Sequence, residues 1–522
     1  MNIAGILRER AAERGDAAAL IDVRHGRDRI VSFRELDSAS ARFAHLITRR
    51  GVAAGDFVFI LHQMSAELYA FLIALFRIGA VAMFVDLSAG PAFIERCLRS
   101  HPPKAFFGSF KAHLLRFRIS ALRHVELTIC SAPLPGSLHL SLGARGSELE
   151  TIAAVDQTTP ALITFTSGST GLPKGALRTH GFLLAQHRAL ESSLHHIAGT
   201  VDLTTLPVFV LSNLASGVTS VLPDADMRRP GNITARPVLR QIERLSITTM
   251  AASPAFVSRL TAECRRAMRR IEGMRRVFVG GAPVFPEDMR QARDASPNAE
   301  IVAVYGSTEA EPMAEIALSA ITPDDFDAMA QGRGLLAGRP VPSILLRTVR
   351  DQWGSPIAAL NEEQFRALCV DAGTVGEIVV SGQHVLQGYL DGSGDAETKF
   401  RVQGAIWHRT GDLGCLDEQG RLWLMGRASA AVKNDRGAIY PFAVECAARQ
   451  IPGVRRAAIL AIDGRCIMAI EADSEKAVDD VCVKMAWAGL DEIRVLHAIP
   501  MDRRHNAKID YVALWRMLSK PK

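Results

Sequence analysis

The chain has 522 residues, of which 48% are hydrophobic and 22% are charged, and its formal net charge is +6. This length exceeds that of one ordinary domain, so we expect more than one folding unit and a large core. The small net charge gives little support to a nucleic-acid-binding protein. The densest basic stretch, RRAMRRIEGMRR at 265–276, has no recognition motif beside it, and we interpret it as a solvated helix face.

Eight cysteines are scattered along the chain without a Cys-x-x-Cys pair or a partnering histidine cluster. This pattern indicates reduced thiols rather than a disulfide framework or a zinc site. Near the N-terminus, Arg8, Glu9 and Arg10 occupy positions where a secretory signal would need its apolar core. The sequence therefore predicts a cytoplasmic protein.

The first elements along the chain are predicted to be a capped helix and a strand. In SFRELDSASARFAHLITRRG at 32–51, Ser32 and Glu35 form a capping-box pair and Gly51 can end the helix. The apolar run FVFIL at 57–61 follows as a strand.

The most apolar stretch of the chain is LYAFLIALFRIGAVAMFVDL at 68–87. It is long enough to cross a bilayer, but Arg77 and Gly79 lie near its middle. We interpret it as a buried helix that leads into a buried strand, with a membrane helix as the alternative. No integral membrane association is predicted.

From residue 160 onward, strands and helices alternate at the spacing of βαβ units. This alternation predicts a mostly parallel sheet covered on both faces. The predicted strands are ALITF, VDLTTL, SITTMAAS, RRVFVGG and EIVAVYG, and the predicted helices are GFLLAQHRALESSLHHI, RPVLRQIERL and PAFVSRLTAEC.

Beyond about residue 370 the pattern changes to short strands joined by turns. DEQG in DLGCLDEQGRLWLMG at 412–426 is typical of a hairpin turn. The residues after Arg427 predict a helix, a strand, a hairpin strand, a helix and a strand, enough for a small α+β domain. We therefore predict a large domain over 1–426 and a small domain over 427–522.

The loop TFTSGSTGLPKG at 164–175 follows an apolar strand and combines hydroxyls, glycines and Lys174. Glycines let backbone amides approach an anion closely, and a lysine adds positive charge. The spacing is not that of a Walker loop. The loop is therefore predicted to bind phosphate, although a polar turn that binds nothing is the alternative.

A second cluster, VYGSTEAE at 304–311, also joins a glycine to hydroxyl residues after a strand. Glu309 is a hard oxygen ligand of the kind that Mg²⁺ prefers. Tyr305 offers a ring on which a purine could stack, although a tyrosine at such a position is also compatible with the core.

The third cluster, WHRTGDLG at 407–414, precedes the predicted hairpin. A carboxylate such as Asp412, just after a glycine, can accept both hydroxyls of a ribose. An Asx turn that opens the hairpin explains the motif equally well.

Together these clusters resemble the adenylate-forming superfamily of acyl- and aryl-CoA synthetases, peptide-synthetase adenylation domains and luciferase. The resemblance extends over essentially the whole chain. TSGSTGLPKG is followed in the expected order by GGAP, YGSTE, GEIVVSG, RTGDLG and a late lysine in HNAKI. It implies an α/β fold, with doubly wound, mostly parallel sheets and a small barrel-like part in the large domain, and a small mobile α+β domain.

The resemblance also implies roles for the residues at matching positions, with ATP and Mg²⁺ as cofactors. The phosphate loop would comprise Thr166, Ser167, Gly168, Ser169, Thr170, Gly171 and Lys174. Gly281, Ala282 and Tyr305, with Gly306 beside them, would frame adenine, and Asp412 and Arg427 would hold the ribose. Of the catalytic residues, Thr308 would contact the α-phosphate or the carboxylate, Glu309 would bind Mg²⁺, and Lys508 would bridge the attacking carboxylate and the α-phosphate.

The chain departs from the superfamily pattern at several places outside the adenylating residues. Val210 stands where the superfamily usually has a histidine, and Ser429 stands at the hinge where Asp or Lys is usual. The glycine-rich stretch beside a CoA tunnel is replaced by KNDRGAIYP at 433–441, and the late lysine lies in DRRHNAKID at 502–510. These departures indicate a different second half-reaction.

The subfamily that the sequence most resembles is the β-lactone synthetases of bacterial long-chain olefin biosynthesis. The resemblance rests on LFRIGAVAMFVD, VLPDADMRRPG, RRVFVGGAPV, YGSTEAEPMA and above all RHNAKI. It implies that a 2-alkyl-3-hydroxy acid is adenylated and that its own hydroxyl then displaces AMP. An acyl-CoA or acyl-carrier ligase and a catalytically silent nucleotide-binding scaffold are the alternatives.

The second half-reaction also needs a base and an acyl pocket. His408 and His505 are candidates for the base by location, although surface or packing roles are open for both. Phe209, Val210 and Asn213 lie where family members line the acyl pocket, and core packing explains the two apolar residues equally well. A lactone pathway implies a complex with pathway enzymes as one further possibility.

Overall fold

The computed structural model of the protein describes residues 2–85, 89–167, 173–434, 437–502 and 508–519. Its internal contacts divide the chain into two compact units. The first unit comprises residues 1–224 and 383–395, and the second comprises residues 225–382 and 396–522. The predicted boundary near residue 427 lies inside the second unit and stays a prediction.

The first unit is built from two sheets and the helices around them. Its elements in chain order are α1 (Ile3–Arg14), β1 (Ala18–Arg24), β2 (Arg27–Ser32), α2 (Phe33–Thr48), β3 (Phe57–Leu61), α3 (Ala66–Ile78), β4 (Val81–Val85), α4 (Pro91–Ser100), β5 (Ala105–Gly108), α5 (Phe110–His113), β6 (Leu127–Cys130), β7 (Leu138–His139), β8 (Pro160–Ser167), β9 (Pro173–Thr179), α6 (His180–Ser193), β10 (Val201–Thr204), α7 (Pro207–Ala215) and β11 (Thr219–Val221).

The larger sheet of the first unit has the strand order β7-β6-β5-β3-β4-β8-β9. Its neighbours pair in parallel except β8 and β9, which pair antiparallel. In the smaller group, β10, β11 and β1 pair in parallel and β2 pairs antiparallel with β1. The predicted mostly parallel α/β sheet is thus confirmed.

Helix α3 is the central helix of this unit, because every one of its residues is buried. Ser65 caps its N-terminus, and Gly79, at φ +75°, ends it in the left-handed conformation that glycine adopts readily. The buried Arg77 forms an ion pair with Asp37 and donates to Ser40 Oγ at 3.3 Å. The prediction of a buried helix leading into strand β4 is confirmed, and within the described residues no helix has the length and apolar character to cross a membrane.

The second unit continues the chain from α8 to its last described helix. Its elements are α8 (Ala235–Arg244), β12 (Thr249–Ala252), α9 (Pro254–Arg266), β13 (Arg276–Gly280), α10 (Pro286–Ala295), β14 (Glu300–Ser307), β15 (Ala310–Ala317), α11 (Pro323–Ala330), β16 (Leu335–Pro340), β17 (Leu345–Val349), α12 (Glu362–Leu368), β18 (Gly376–Ser381), α13 (Asp395–Thr398), β19 (Lys399–Val402), β20 (Ala405–Leu416), β21 (Leu422–Arg427), β22 (Val432–Asn434), β23 (Gly437–Ile439), α14 (Pro441–Arg449), β24 (Val454–Ile462), β25 (Arg465–Ala472), α15 (Glu475–Lys484), β26 (Glu492–Val495) and α16 (Tyr511–Leu518).

Strands β12, β13 and β14 pair in parallel, and an antiparallel series follows in the order β15, β16, β21, β20, β18 and β17. The predicted hairpin at 412–426 is the β20–β21 pair. Toward the C-terminus, β24, β25 and β26 form a separate sheet. The succession α14, β24, β25, α15 and β26 matches the predicted order, whereas the β22–β23 pair before it and α16 after it were not predicted.

Candidate nucleotide site

In the second unit, the parallel pairing of β13 with β14 ends at the residues predicted to frame adenine. Gly280 on β13 is in register with Val304 on β14, so Gly281 and Tyr305 each follow a paired position. Gly281 has φ +81° and is exposed, and a Cβ there would meet no atom within 4 Å. The backbone turn, rather than crowding, therefore favours glycine at this position. Ala282 follows it at the same edge.

Tyr305, Asp412 and Arg427 form one hydrogen-bonded cluster in this unit. The Tyr305 hydroxyl donates to Asp412 Oδ2 at 2.7 Å, and Arg427 Nε lies 3.2 Å from Asp412 Oδ1. Asp412 on β20 is directly opposite Arg427 on β21. Thr410 supports both, because its Oγ accepts the Asp412 N–H at 3.1 Å and its carbonyl accepts Arg427 Nη1 at 2.8 Å.

The electrostatics of this cluster keep its hydrogen bonds in a defined direction. Burial and the neighbouring Asp412 carboxylate raise the pKa of Tyr305 well above its usual value, so the phenol stays a donor. The Asp412 carboxylate is partly buried and oriented by Tyr305 and Arg427. Such a carboxylate beside a partly exposed aromatic ring can accept sugar hydroxyls while the ring contacts a base.

The catalytic candidates Thr308 and Glu309 form the tip of a hairpin. Ser307 on β14 pairs with Ala310 on β15, and Thr308 and Glu309 connect the two strands. Ser307 Oγ accepts the Glu309 N–H at 3.2 Å. Gly306 lies just before the tip, where a Cβ would lie 3.0 Å from the Glu311 side chain.

The hairpin tip fits a magnesium site of the kind that takes most of its ligands from a triphosphate and water. One carboxylate suffices for such a site, and Glu309 is partly exposed beside the residues Ser307 and Thr308. Within the described ranges, no cluster of three or more His, Cys, Asp or Glu side chains forms a complete protein-built metal site.

His408, a candidate base, is buried beside a buried lysine. Lys399 Nζ and the Thr398 carbonyl oxygen each lie 3.1 Å from His408 Nδ1. Burial, with the Lys399 charge as a second cause, lowers the pKa of His408 to about 3. The imidazole is therefore neutral at physiological pH, and its low pKa makes it a poor proton acceptor. His505, the other candidate, lies outside the described residues.

Sequence reasoning missed a buried ion pair that supports the Asp412 strand. Arg409 and Glu377 are fully buried, with 2.6 Å between Arg409 Nη2 and Glu377 Oε2. Arg409 also donates to the carbonyl oxygens of Gln352 at 3.0 Å and Ser355 at 2.6 Å. The available signal was Glu377 in the otherwise uncharged motif GEIVVSG and Arg409, of opposite charge, at the start of RTGDLG.

In the first unit, the predicted phosphate loop joins the antiparallel strands β8 and β9. Thr166 pairs with Lys174 and Ser167 pairs with Pro173. Strand β9 was not predicted, because the sequence suggested that the loop leads directly into helix α6. The remaining loop candidates, Gly168, Ser169, Thr170 and Gly171, lie outside the described residues.

Lys174 is buried at the base of this hairpin. Its ammonium lies 5.8 Å from the centre of the Tyr389 ring. A Cβ at Gly394, which has φ +93°, would lie only 2.4 Å from Lys174 Nζ. The glycine therefore lets residues 389–394 approach the lysine closely.

The three candidates for the acyl pocket lie on helix α7, which was not predicted. Phe209 and Val210 are buried apolar residues. Asn213 is also fully buried, and its amide donates to Asp202 at 3.0 Å, Thr204 at 2.9 Å and Ser220 at 3.1 Å. These contacts give Asn213 a structural role, and a role for any of the three in an acyl pocket stays a prediction.

Lys508 lies in the second unit, and its backbone pairs with that of Asp502. Its backbone N–H donates to Asp502 Oδ1 at 2.9 Å, and the Asp502 N–H donates to the Lys508 carbonyl at 2.8 Å. Met501 and Ile509 form a β-bridge beside them. Lys508 is exposed, and residues 503–507 lie outside the described residues.

Comparison with known proteins places these residues in a family context. Residues 7–390 match the family described as AMP-binding enzyme. The chain is 32% identical to the olefin beta-lactone synthetase of Stenotrophomonas maltophilia over 98% of both chains. It is 30% identical to the indoleacetate–CoA ligase of Aromatoleum aromaticum, covering 83% of this chain and 80% of that protein. The solved amide bond synthetase McbA from Marinactinospora thermotolerans has a TM-score of 0.80 at 22% identity, over 99% of each chain.

Proposed function

Because the chain belongs to the AMP-binding enzyme family and is an AMP-forming adenylating enzyme, we propose that its substrate is a 2-alkyl-3-hydroxyalkanoic acid and its product a β-lactone. In the first step the carboxylate attacks the α-phosphorus of ATP, and pyrophosphate leaves. In the second step the 3-hydroxyl oxygen attacks the acyl carbon and loses its proton. AMP leaves with one of the original carboxylate oxygens.

One observation carries this proposal: the relative at 32% identity over 98% of both chains is named olefin beta-lactone synthetase. The stretch RHNAKI around Lys508, and KNDRGAIYP in place of the glycine-rich stretch of CoA ligases, support the same conclusion. Well-oriented internal nucleophiles reach effective molarities of roughly 10⁵ to 10⁸ M, which offsets much of the barrier to closing a strained ring. A thiol site is then unnecessary.

The described geometry supports specific roles in the first step. Asp412, held by Tyr305 and Arg427, would accept the ribose hydroxyls. Glu309 at the hairpin tip would hold Mg²⁺, which when bound neutralises charge on the phosphates. Lys508 would bridge the substrate carboxylate and the α-phosphate, and Lys174 with the hydroxyls of its loop would hold the outer phosphates.

For the second step, the environment of His408 is unfavourable for a base. Proton transfer to His408 would place a second positive charge beside Lys399 in a buried site. The proton of the hydroxyl therefore leaves to another acceptor, and the departing AMP phosphate or His505 are the groups to test.

An acyl-CoA ligase is the second candidate function, because the relative at 30% identity is named a CoA ligase. The two functions share the first step and differ in the nucleophile of the second. A ligase requires an external thiol, whereas lactone formation requires the 3-hydroxyl of the substrate itself.

The two functions are separated by incubating the protein with ATP, Mg²⁺ and a synthetic 2-alkyl-3-hydroxy acid, with and without CoA. We expect stoichiometric AMP and lactone without CoA, measured by mass spectrometry. The matched control substrate lacks only the 3-hydroxyl, and with it pyrophosphate should form while the acyl-adenylate remains bound. Strict dependence of AMP release on CoA, or thioester formation with the control acid, would favour the ligase.

A further inference from the structure

A row of large apolar side chains lies exposed on the surface of the first unit, just after strand β5. Phe110 and Leu114 are each 52% exposed, and Phe117 is 77% exposed. Their spacing places them on one side of helix α5 and the turn of 3₁₀-helix that continues it over Leu114–Phe117. We call residues 110–124 the apolar–basic segment.

The inward side of the apolar–basic segment already provides its packing. Ala112, Ile119 and Leu122 are buried in the core beside Phe106, and Leu115 packs against the same cluster. The exposed row is therefore not needed to attach the segment to the fold. Clustered exposed apolar side chains of this size mark interaction surfaces.

The charges within this segment are all of one sign. The neighbouring acid Glu95 on α4 accepts the Ser120 hydroxyl at 2.6 Å and forms its ion pair with Arg99 on the same helix. Between residues 110 and 124 the sequence contains Lys111, Arg116, Arg118 and Arg123 and no Asp or Glu. Among the residues that the structure describes, none of these four cations forms an ion pair. Arg123 instead donates to the carbonyl oxygens of Arg116 and Phe117, both at 2.9 Å, so its charge stays uncompensated beside the row.

The basic stretch at 265–276 provides an internal contrast. It also exposes an apolar residue, since Met268 is 95% exposed. Three of its arginines, however, pair with acids: Arg266 with Glu263 at 2.7 Å, Arg269 with Glu243, and Arg276 with Glu300 at 3.6 Å. That stretch therefore combines a single apolar side chain with partly neutralised cations.

We propose that the apolar–basic segment binds the surface of an anionic phospholipid bilayer. Phenyl and leucyl side chains enter the boundary between headgroups and acyl chains, and neighbouring cations bind anionic headgroups. The charge complementarity selects a uniformly anionic surface, because a protein partner would need acids placed against four separate cations. Attachment of this kind lies along the bilayer and needs no spanning helix, and it is independent of which acid the enzyme activates.

The test is co-sedimentation of the full-length protein with vesicles of phosphatidylglycerol and phosphatidylcholine, compared with vesicles of phosphatidylcholine alone. We expect binding to the anionic vesicles, which falls at least about tenfold when Phe110, Leu114 and Phe117 are all changed to Ser. In the double variant Lys111→Glu/Arg118→Glu, the affinity for anionic vesicles should fall at least about fivefold for each cation removed. Met268→Ser is the matched control and should bind like the wild type.

Two further measurements keep the outcome decisive. Thermal melting and the ATP–pyrophosphate exchange rate check that the variants are folded, because all changed side chains are exposed and lie outside the nucleotide site. The added tryptophan fluorescence of the Phe117→Trp variant should be quenched by brominated lipid in anionic vesicles, whereas that of the Met268→Trp variant should not. Absence of wild-type binding, equal binding to both vesicle types, or unchanged binding of the folded triple Ser variant would overturn the proposal.

Discussion

At the scale of single residues, Asp412 organises the described part of the nucleotide site. Its two carboxylate oxygens are held by different partners, the Tyr305 phenol at 2.7 Å and the Arg427 guanidinium at 3.2 Å. Each partner fixes one oxygen, so the orientation of the carboxylate is set before a ribose arrives. Preorganisation of this kind lowers the entropy lost on binding.

Changing Tyr305 to Phe removes only the hydroxyl that orients Asp412. A hydrogen bond to a charged acceptor contributes about 1.5 to 3 kcal/mol, so we expect the KM for ATP to rise about tenfold or more. Tyr69→Phe is the matched control, because the fully buried Tyr69 donates to the Pro207 carbonyl at 3.1 Å. It should lower the melting temperature and leave the KM unchanged. Equal KM values for all three proteins would contradict the assigned role.

The low pKa of the buried His180 predicts how the stability of the protein depends on pH. Burial lowers its pKa from 6.5 to about 4. Between these values the unfolded chain binds a proton that the folded chain does not, so the contribution of His180 to stability is lost as the pH falls below 6.5. We expect about 1 kcal/mol of lost unfolding free energy per pH unit from this group. Denaturant titrations between pH 4.5 and 7 should show a shallower slope for His180→Gln, and an identical slope would refute the assignment.

At the scale of elements, the sequence predicted those whose signal is local. The capping box of Ser32 and Glu35 begins α2 as predicted, and DEQG forms the β20–β21 turn. Strand β9 and helix α7 were missed because of their composition. The strand, PKGALRT, pairs with its neighbour β8 but contains proline, glycine and two cations and no apolar run. Helix α7 is a short, almost wholly buried segment without helical periodicity.

The same distinction applies to the site. Motifs identified Tyr305, Asp412 and Arg427 separately, but only the pairing of β20 with β21 shows that Asp412 and Arg427 are opposite each other. The Glu377–Arg409 pair could not be predicted, because the register of β18 against β20 brings the two residues together from distant motifs.

The backbone contact between Asp502 and Lys508 gives a prediction at this scale. The Asp502 carboxylate accepts the Lys508 N–H at 2.9 Å, so Asp502→Ala should misplace the lysine. Misplacement of a catalytic group by about 1 Å can slow a reaction about 100-fold. We expect a smaller displacement here, and a fall in the adenylation rate of about tenfold. The KM for ATP should change little. Pyrophosphate release under single-turnover conditions measures this rate.

Asp510→Ala is the matched control for Asp502→Ala. Asp510 lies two residues after Lys508 and caps α16 by accepting the Ala513 N–H at 2.9 Å. Its loss should cost about 1 kcal/mol of stability without slowing adenylation. If the two variants slow the reaction equally, Asp502 has no specific role in positioning Lys508.

At the scale of the whole molecule, the C-terminal residues pack on other parts of the second unit. Arg449 pairs with Asp288 at 2.8 Å and lies over the Phe285 ring. We propose that residues 427–522 are a separate domain, in line with the family resemblance. Rotation of that domain about Ser429 would have to break the Arg449–Asp288 pair, so loss of the pair would report the rotation.

The central claim is that the carboxylate is activated and the 3-hydroxyl is the nucleophile. An acid labelled with ¹⁸O in both carboxylate oxygens tests it directly, because the label divides between products according to the bond that breaks. We predict one ¹⁸O in AMP and one in the lactone, at its carbonyl, with an unlabelled ring oxygen. A lactone that retains both labels beside unlabelled AMP would mean that the hydroxyl was activated instead, and would contradict the account.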